Sequence, residues 1–166
     1  VVRQGFPKAR IVLKVGNHEE RLERYMRVKA PELLGIDASS FSVLIEADKH
    51  RVEIVDQQRK IAVGGLTILH GHELPKGLTN PVNPARGAFL RMLDSGLIGH
   101  HHRTSEHTEQ TMTGKTIATW STGCLCELTP EYARINRWNH GAATVETDKA
   151  GDYRVHSFRV INGKTF

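Results

Sequence analysis

The stretch Lys60-Ile61-Ala62-Val63-Gly64-Gly65-Leu66-Thr67-Ile68-Leu69-His70-Gly71-His72 decides how this chain is read. Its apolar, partly β-branched body has the composition of a buried strand, expected over Lys60 to Leu69, and it stops at alternating imidazoles and glycine. The same grammar occurs twice more. Ala9-Arg10-Ile11-Val12-Leu13-Lys14-Val15 is an apolar run ending in Gly16-Asn17-His18-Glu19, and the brief strand Gly96-Leu97-Ile98 ends in Gly99-His100-His101-His102. Strand ends on one side of a sheet converge, so three such motifs can supply one site from distant parts of a chain. Adjacent glycines permit the sharp turns that aim imidazoles inward.

Working outward, Glu19 to Lys29 has helix-forming composition, with Leu22, Tyr25, Met26 and Lys29 at helical spacing and Pro31 as a stop. A second helix is expected between Ile36 and Ala47, behind the capping cluster Asp37-Ala38-Ser39-Ser40. Arg51 to Val55 reads as a strand joined to the 60–69 strand by the polar turn Asp56-Gln57-Gln58-Arg59. A Pro- and Gly-rich loop spans Leu74 to Pro84, and Ala85 to Asp94 reads as a helix with Phe89, Leu90 and Leu93 on one face. From Glu106 the texture becomes β-prone, and turns at Thr113-Gly114 and Ala150-Gly151-Asp152 predict hairpins around 106–120 and 142–161. The expected fold class is α/β, a mixed β-sandwich flanked by helices, in one domain over 1–166.

With 166 residues, 39% hydrophobic and 25% charged, the composition is that of a globular domain. No apolar run approaches the roughly 20 residues that span a bilayer, so no membrane partner is expected. The N-terminal residues carry no export pattern, and Cys124 and Cys126, separated by Leu125, are too close for an easy disulfide and too few for a structural zinc site. Both are read as reduced, buried cysteines of a cytoplasmic protein. A net charge of +5 and pI near 9.4 favour a polyanionic partner, nucleic acid among the candidates.

Neutral imidazole is the commonest metal ligand, and imidazole combined with carboxamide or carboxylate oxygen suits Mn, Fe, Zn or Ni. For any one of the three motifs, a solvated loop or a satisfied buried histidine is the bland alternative. The three together, each behind an apolar strand, point to a metal site.

In order and spacing these motifs resemble the calcineurin-like metallophosphoesterase family, whose pattern runs D-x-H, G-D-x-x-D, G-N-H-D/E, H in H-G-H, and G-H-x-H. The resemblance covers Ile11 to Arg103, and Trp120-Ser121-Thr122-Gly123 and Trp138-Asn139-His140-Gly141 look similar to phage-type and bacterial members. It implies part of a four-layer fold and hydrolysis of a phosphomonoester or phosphodiester by metal-activated water, with nuclease action a candidate subclass. Asn17, His70 and His100 match ligands of one metal and His102 a ligand of the other. His18 matches the histidine that protonates the leaving group, and His101 occupies the variable position. No D-x-H or G-D-x-x-D precedes Gly16, so the resemblance implies a domain shortened at its N-terminus, holding at most one tightly bound ion and impaired in turnover. Uncovered sheet edges would then favour a homo-oligomer. The rival reading is a non-catalytic metal-binding or interaction module derived from the same fold.

Two further residues are candidates for substrate binding. His72, with Glu73 beside it, could line the site or stand behind it, and Arg86 could clamp a phosphate through its guanidinium or simply be a solvated arginine at a helix start. Glu19, Glu20, Arg21, Glu23 and Arg24 read as a charged helix face without catalytic work, and Trp120, Trp138 and Tyr132 as packing.

Overall fold

A single helical turn, α1 (Val2–Gly5), leads into strand β1 (Ile11–Lys14). Arg3 of α1 ties the early chain together, donating to the carbonyls of Ala9 at 2.6 Å, His50 at 3.0 Å and Arg51 at 3.0 Å. The expected first helix forms as α2 (Glu20–Lys29), ended by Ala30 before Pro31, and of its apolar residues only Met26 is buried. The segment expected to be a second helix is broken into a 3-10 turn (Asp37–Ser39), α3 (Phe41–Leu44) and α4 (Ala47–His50). Ser40 caps α3, its Oγ accepting from the Val43 N–H at 3.4 Å, and Glu46 at φ 51° and Arg51 at φ 52° bracket α4 in the left-handed region, which no continuous helix accommodates. Strand β2 (Val52–Val55) pairs in parallel with β1, Ile11 opposite Val52 and Lys14 opposite Val55.

This computed structural model describes residues 2–56, 58–75 and 82–166. Gln57 of the expected polar turn and residues 76–81 of the expected Pro- and Gly-rich loop lie outside them. The Asp56 carboxylate does organise its turn, accepting from the backbone N–H of Gln58 at 3.0 Å and of Arg59 at 3.1 Å. Two compact units result, residues 1–59 and residues 60–166.

In the second unit the expected 60–69 strand is a hairpin, β3 (Ile61–Val63) and β4 (Leu66–Ile68), Val63 opposite Leu66. The reversal falls at Gly64, whose φ of +57° glycine tolerates and whose missing Cβ would lie 2.6 Å from the Gly151 carbonyl oxygen. Helix α5 (Pro84–Met92) follows, capped by Asn83, whose Oδ1 accepts from the Arg86 N–H at 3.0 Å. Then come β5 (Gly96–Ile98), the hairpin β6 (Ser105–Gln110) and β7 (Thr116–Ser121), and the antiparallel β8 (His140–Thr147), β9 (Tyr153–Ile161) and β10 (Lys164–Thr165). Both expected C-terminal hairpins are present.

The strands form a five-stranded sheet in the order β3-β4-β5-β7-β6 and a three-stranded sheet β10-β9-β8. Within the first, β4, β5 and β7 run parallel, placing Ile68, Leu97 and Trp120 in one row across the sheet. One face of that sheet, through Leu66, Leu97 and Trp120, packs on Ala143, Val145, Tyr153 and Val155 of the three-stranded sheet. On the other face α5 packs against β5, β6 and β7, and buried Thr119 donates from Oγ1 to the Ala85 carbonyl at 2.8 Å. The architecture is mixed α/β, as expected. Among the described residues no helix is long and apolar enough to cross a membrane.

Candidate metal centre

Three parallel strands must end on the same edge of their sheet, and here β4, β5 and β7 all lead at that edge into potential metal ligands. After β4 comes His70-Gly71-His72-Glu73, after β5 Gly99-His100-His101-His102, and after β7 Thr122-Gly123-Cys124-Leu125-Cys126. Backbone hydrogen bonds carry the pairing past the strands: the N–H groups of Gly99 and His100 both donate to the His70 carbonyl, at 3.0 and 2.8 Å, and the Thr122 N–H donates to the Ile98 carbonyl at 2.9 Å. The loops that bear the ligands are thus extensions of the sheet.

The first two loops bring the imidazoles together. Ring centroids lie 4.8 Å apart for His70 and His72, 5.0 Å for His70 and His100, and 5.1 Å for His100 and His101. The Nδ1 atoms of His70 and His72 are 2.8 Å apart, a separation that demands at least one neutral ring, because one nitrogen must offer a lone pair. Glu73 Oε2 accepts from the Gly71 N–H at 2.6 Å and stands 3.5 Å from His72 Nδ1. His70, His72 and Glu73 each present a ligand atom within 4.8 Å of the others, a group that could hold a metal ion.

Electrostatics act on two rings of this cluster, His100 and His101. Partial burial, then the neighbouring His70, His101, His72 and His102, push His100 down to about 4 from an ordinary 6.5, so its ring is neutral near pH 7. His101 is also lowered, by burial first and then by Arg91, Arg103 and His102. Gly71 makes the close approach possible: with φ +116°, a Cβ there would lie 3.1 Å from His100 Cβ and 3.2 Å from Ile98 Cβ. Only glycine satisfies both demands without strain.

His102 faces a different set of donors. It sits at φ 55°, its ring packs edge-on to Trp138 with centroids 4.3 Å apart, and its Nδ1 lies 3.9 Å from the Cys126 sulfur. His102, Cys124 and Cys126 present ligand atoms within 4.8 Å of one another, a second group able to hold a metal ion. Cys124 is buried as expected, and burial pushes its thiol up to about 11, whereas Cys126 is exposed, contrary to expectation, because the loop after β7 runs outward from Cys124.

No protein-family model matches the chain, and no curated protein matches it at a significant level. The site therefore has to be judged on its own geometry.

The remaining sequence candidates are placed as follows. Asn17 and His18 lie in the first unit, in the turn between β1 and α2, where the Glu19 carboxylate accepts from the Gly16 N–H at 2.9 Å; Asn17 is partly buried and His18 exposed. Arg86 is exposed in the first turn of α5. Of the expected ligands, His70 and His100 are brought together, and His72 and His101 join them. Glu73, expected only to line the site or stand behind it, joins the ligand candidates, as do the two cysteines, which by number alone read as too few for a structural zinc site. The signal was present, since Trp120-Ser121-Thr122-Gly123-Cys124 is again a strand, a glycine and a potential ligand. It was obscured because β7 reads locally as one arm of a hairpin and nothing local reveals its parallel pairing with β5.

Proposed function

We propose that the chain is a metal-dependent phosphoesterase domain of the calcineurin-like type. The observation that carries this reading is the convergence of His70, His72 and His100 at the ends of adjacent parallel strands, with burial and its neighbours holding the His100 ring neutral. The ordered motifs at Gly16–Glu19, His70–His72 and Gly99–His102 support it. The helix, sheet and sheet layers of the second unit are read as part of the four-layer fold of that family.

The donor set fits a divalent transition metal, Mn, Fe, Zn or Ni, since it offers several imidazoles beside a carboxylate. His70 and His100 are the proposed ligands, and His72 orients His70 through their shared Nδ1 contact. A bound ion would lower the pKa of its water and stabilise charge on phosphoryl oxygens. The polar groove lined by His101, Arg103, Arg137 and Trp138, with Arg159 in the neighbouring one, favours an anionic substrate, and nucleic acid is one candidate.

The test is hydrolysis of p-nitrophenyl phosphate and of its bis ester by the metal-stripped chain with Mn(II) added back. Turnover that depends on Mn(II) and falls by about 100-fold in His100→Ala is expected, one removed metal ligand costing on the order of 10–100-fold or more. Metal binding without turnover of either ester would favour the rival, a non-catalytic metal-binding module.

A further inference from the structure

We propose that His102, Cys124 and Cys126 form a thiolate-containing zinc site of their own, with three protein ligands and a fourth position open to solvent. The inference does not rest on the phosphoesterase reading and stands or falls on the donors alone. It also departs from the expectation that this chain tightly holds at most one ion.

Two thiols and an imidazole are a soft to borderline donor set that selects Zn(II), and its spectroscopic surrogate Co(II), over Mn or Mg, which prefer oxygen. The oxygen and imidazole donors at His70, His72 and Glu73 form a separate group of different character.

Ligands sharing a tetrahedral zinc, with Zn–S about 2.3 Å and Zn–N about 2.0 Å, stand roughly 3.6 Å apart. The His102 Nδ1 to Cys126 Sγ separation is 3.9 Å, and all three donor atoms lie within 4.8 Å of one another. A contraction of a few tenths of an ångström on the His102–Cys126 pair would match zinc.

Each donor is also pre-organised, positioned by groups other than its own ligand atom. Cys124 is clamped by backbone, its N–H donating to the Asn139 carbonyl at 3.0 Å and its carbonyl accepting from the Gly141 N–H at 3.2 Å. Gly123 lets that clamp close, since a Cβ there would fall 2.4 Å from the Asn139 carbonyl oxygen. His140 Nε2 donates to the Cys126 carbonyl at 2.9 Å, holding the outer part of the loop. The His102 backbone is fixed at both ends, its N–H donating to Gly99 and its carbonyl accepting from Asn139 at 3.0 Å, while Trp138 packs on the ring. The sulfurs make long hydrogen bonds, Cys124 to the Asn139 carbonyl at 3.7 Å and Cys126 to His102 Nδ1 at 3.9 Å.

Binding is balanced by proton loss: both thiols coordinate as thiolates, so each Zn(II) bound by two cysteines releases two protons to solvent, and no electrons move. With three protein ligands among the described residues and an exposed Cys126, water would complete the tetrahedron, the arrangement of an open rather than a closed zinc site.

The test is Co(II) titration of the full chain after metal removal under a phosphine reductant, followed by absorption. One equivalent of Co(II) should produce a near-ultraviolet sulfur-to-cobalt charge-transfer band with intense tetrahedral visible bands, bleached by Zn(II). Cys126→Ser, at an exposed position, should cut the charge-transfer intensity by about half and weaken zinc affinity at least 10-fold, whereas His70→Ala should leave the band in place. Absence of any sulfur charge transfer in the reduced wild-type chain would overturn the proposal. So would a band untouched by Cys126→Ser. Because the readout is spectral, its failure is distinguishable from a failure to hydrolyse phosphate esters.

Discussion

At the scale of the residue, His100 is where acid acts most directly on the folded chain. The folded ring protonates only at about 4, while an ordinary imidazole, as in the unfolded chain, does so at 6.5. Between those values the unfolded chain binds the extra proton, so stability is full above about 6.5 and is progressively lost as pH falls toward 4. Burial is the largest cause and the rings of His70, His101, His72 and His102 follow, so no single neighbour accounts for the effect. Thermal melts from pH 7.5 to 4.5 should show Tm falling through this window, with a shallower fall in His100→Gln; equal slopes would remove His100 as the cause. Gly71 is the other informative residue. Gly71→Ala places a methyl group against His100 and Ile98 at φ +116°, an expected cost of about 1–3 kcal/mol in urea titration. Both histidine motifs were legible in the sequence because a ligand following an apolar run is a local pattern. The Nδ1 contact of His70 with His72 was not, since it depends on how the Glu73 carboxylate folds the loop back onto the His70 and Gly71 N–H groups.

At the scale of the element, periodicity carried the reading as far as local interactions reach. Strand β5 and helices α2 and α5 lie where composition put them, and both C-terminal hairpins follow from their turns. Two failures have one origin. The 60–69 run was expected as a single strand because its apolar residues continue through Gly64-Gly65, yet the pair reverses the chain, pinned by the Gly65 N–H donating to the Gly151 carbonyl at 2.8 Å. The 36–47 helix was expected from its capping cluster, but Glu46 enters the left-handed region. In each case a contact or conformation absent from the local pattern decides. Strand β7 shows the consequence for the site: its parallel pairing with β5 aligns Leu97 with Trp120 and delivers the cysteines to the histidine edge. Trp120, 7% exposed and in contact with both sheets, is the element's anchor. Trp120→Ala should cost about 3–5 kcal/mol, measured by chemical denaturation. A loss below 1 kcal/mol would mean that β7 is held by its hydrogen bonds instead.

At the scale of the whole molecule, the two units differ in how much apolar surface they bury. Among the described residues of the first unit, Met26, Ala47 and Val55 are the buried hydrophobic side chains, while the second buries Leu66, Ala85, Ala88, Leu97, Ile98, Ile117 and Trp120. The first unit's sheet has two strands, and an isolated two-stranded sheet is marginal in water. Several of the unit's apolar residues are turned outward: Leu33, Leu34, Ile36, Val43 and Leu44 are each at least 40% exposed. Sequence did not reveal this for Val43 and Leu44, which read as part of a continuous helix over 36–47 that the left-handed Glu46 interrupts. Exposed apolar surface near an unpaired strand edge is removed from water most directly by a second copy of the chain. Light scattering at rising concentration should therefore show a homo-oligomer, and amides of the first unit should gain protection from hydrogen exchange as it forms. A stable monomer at high concentration, with first-unit amides exchanging at one rate throughout, would exclude self-association through this surface.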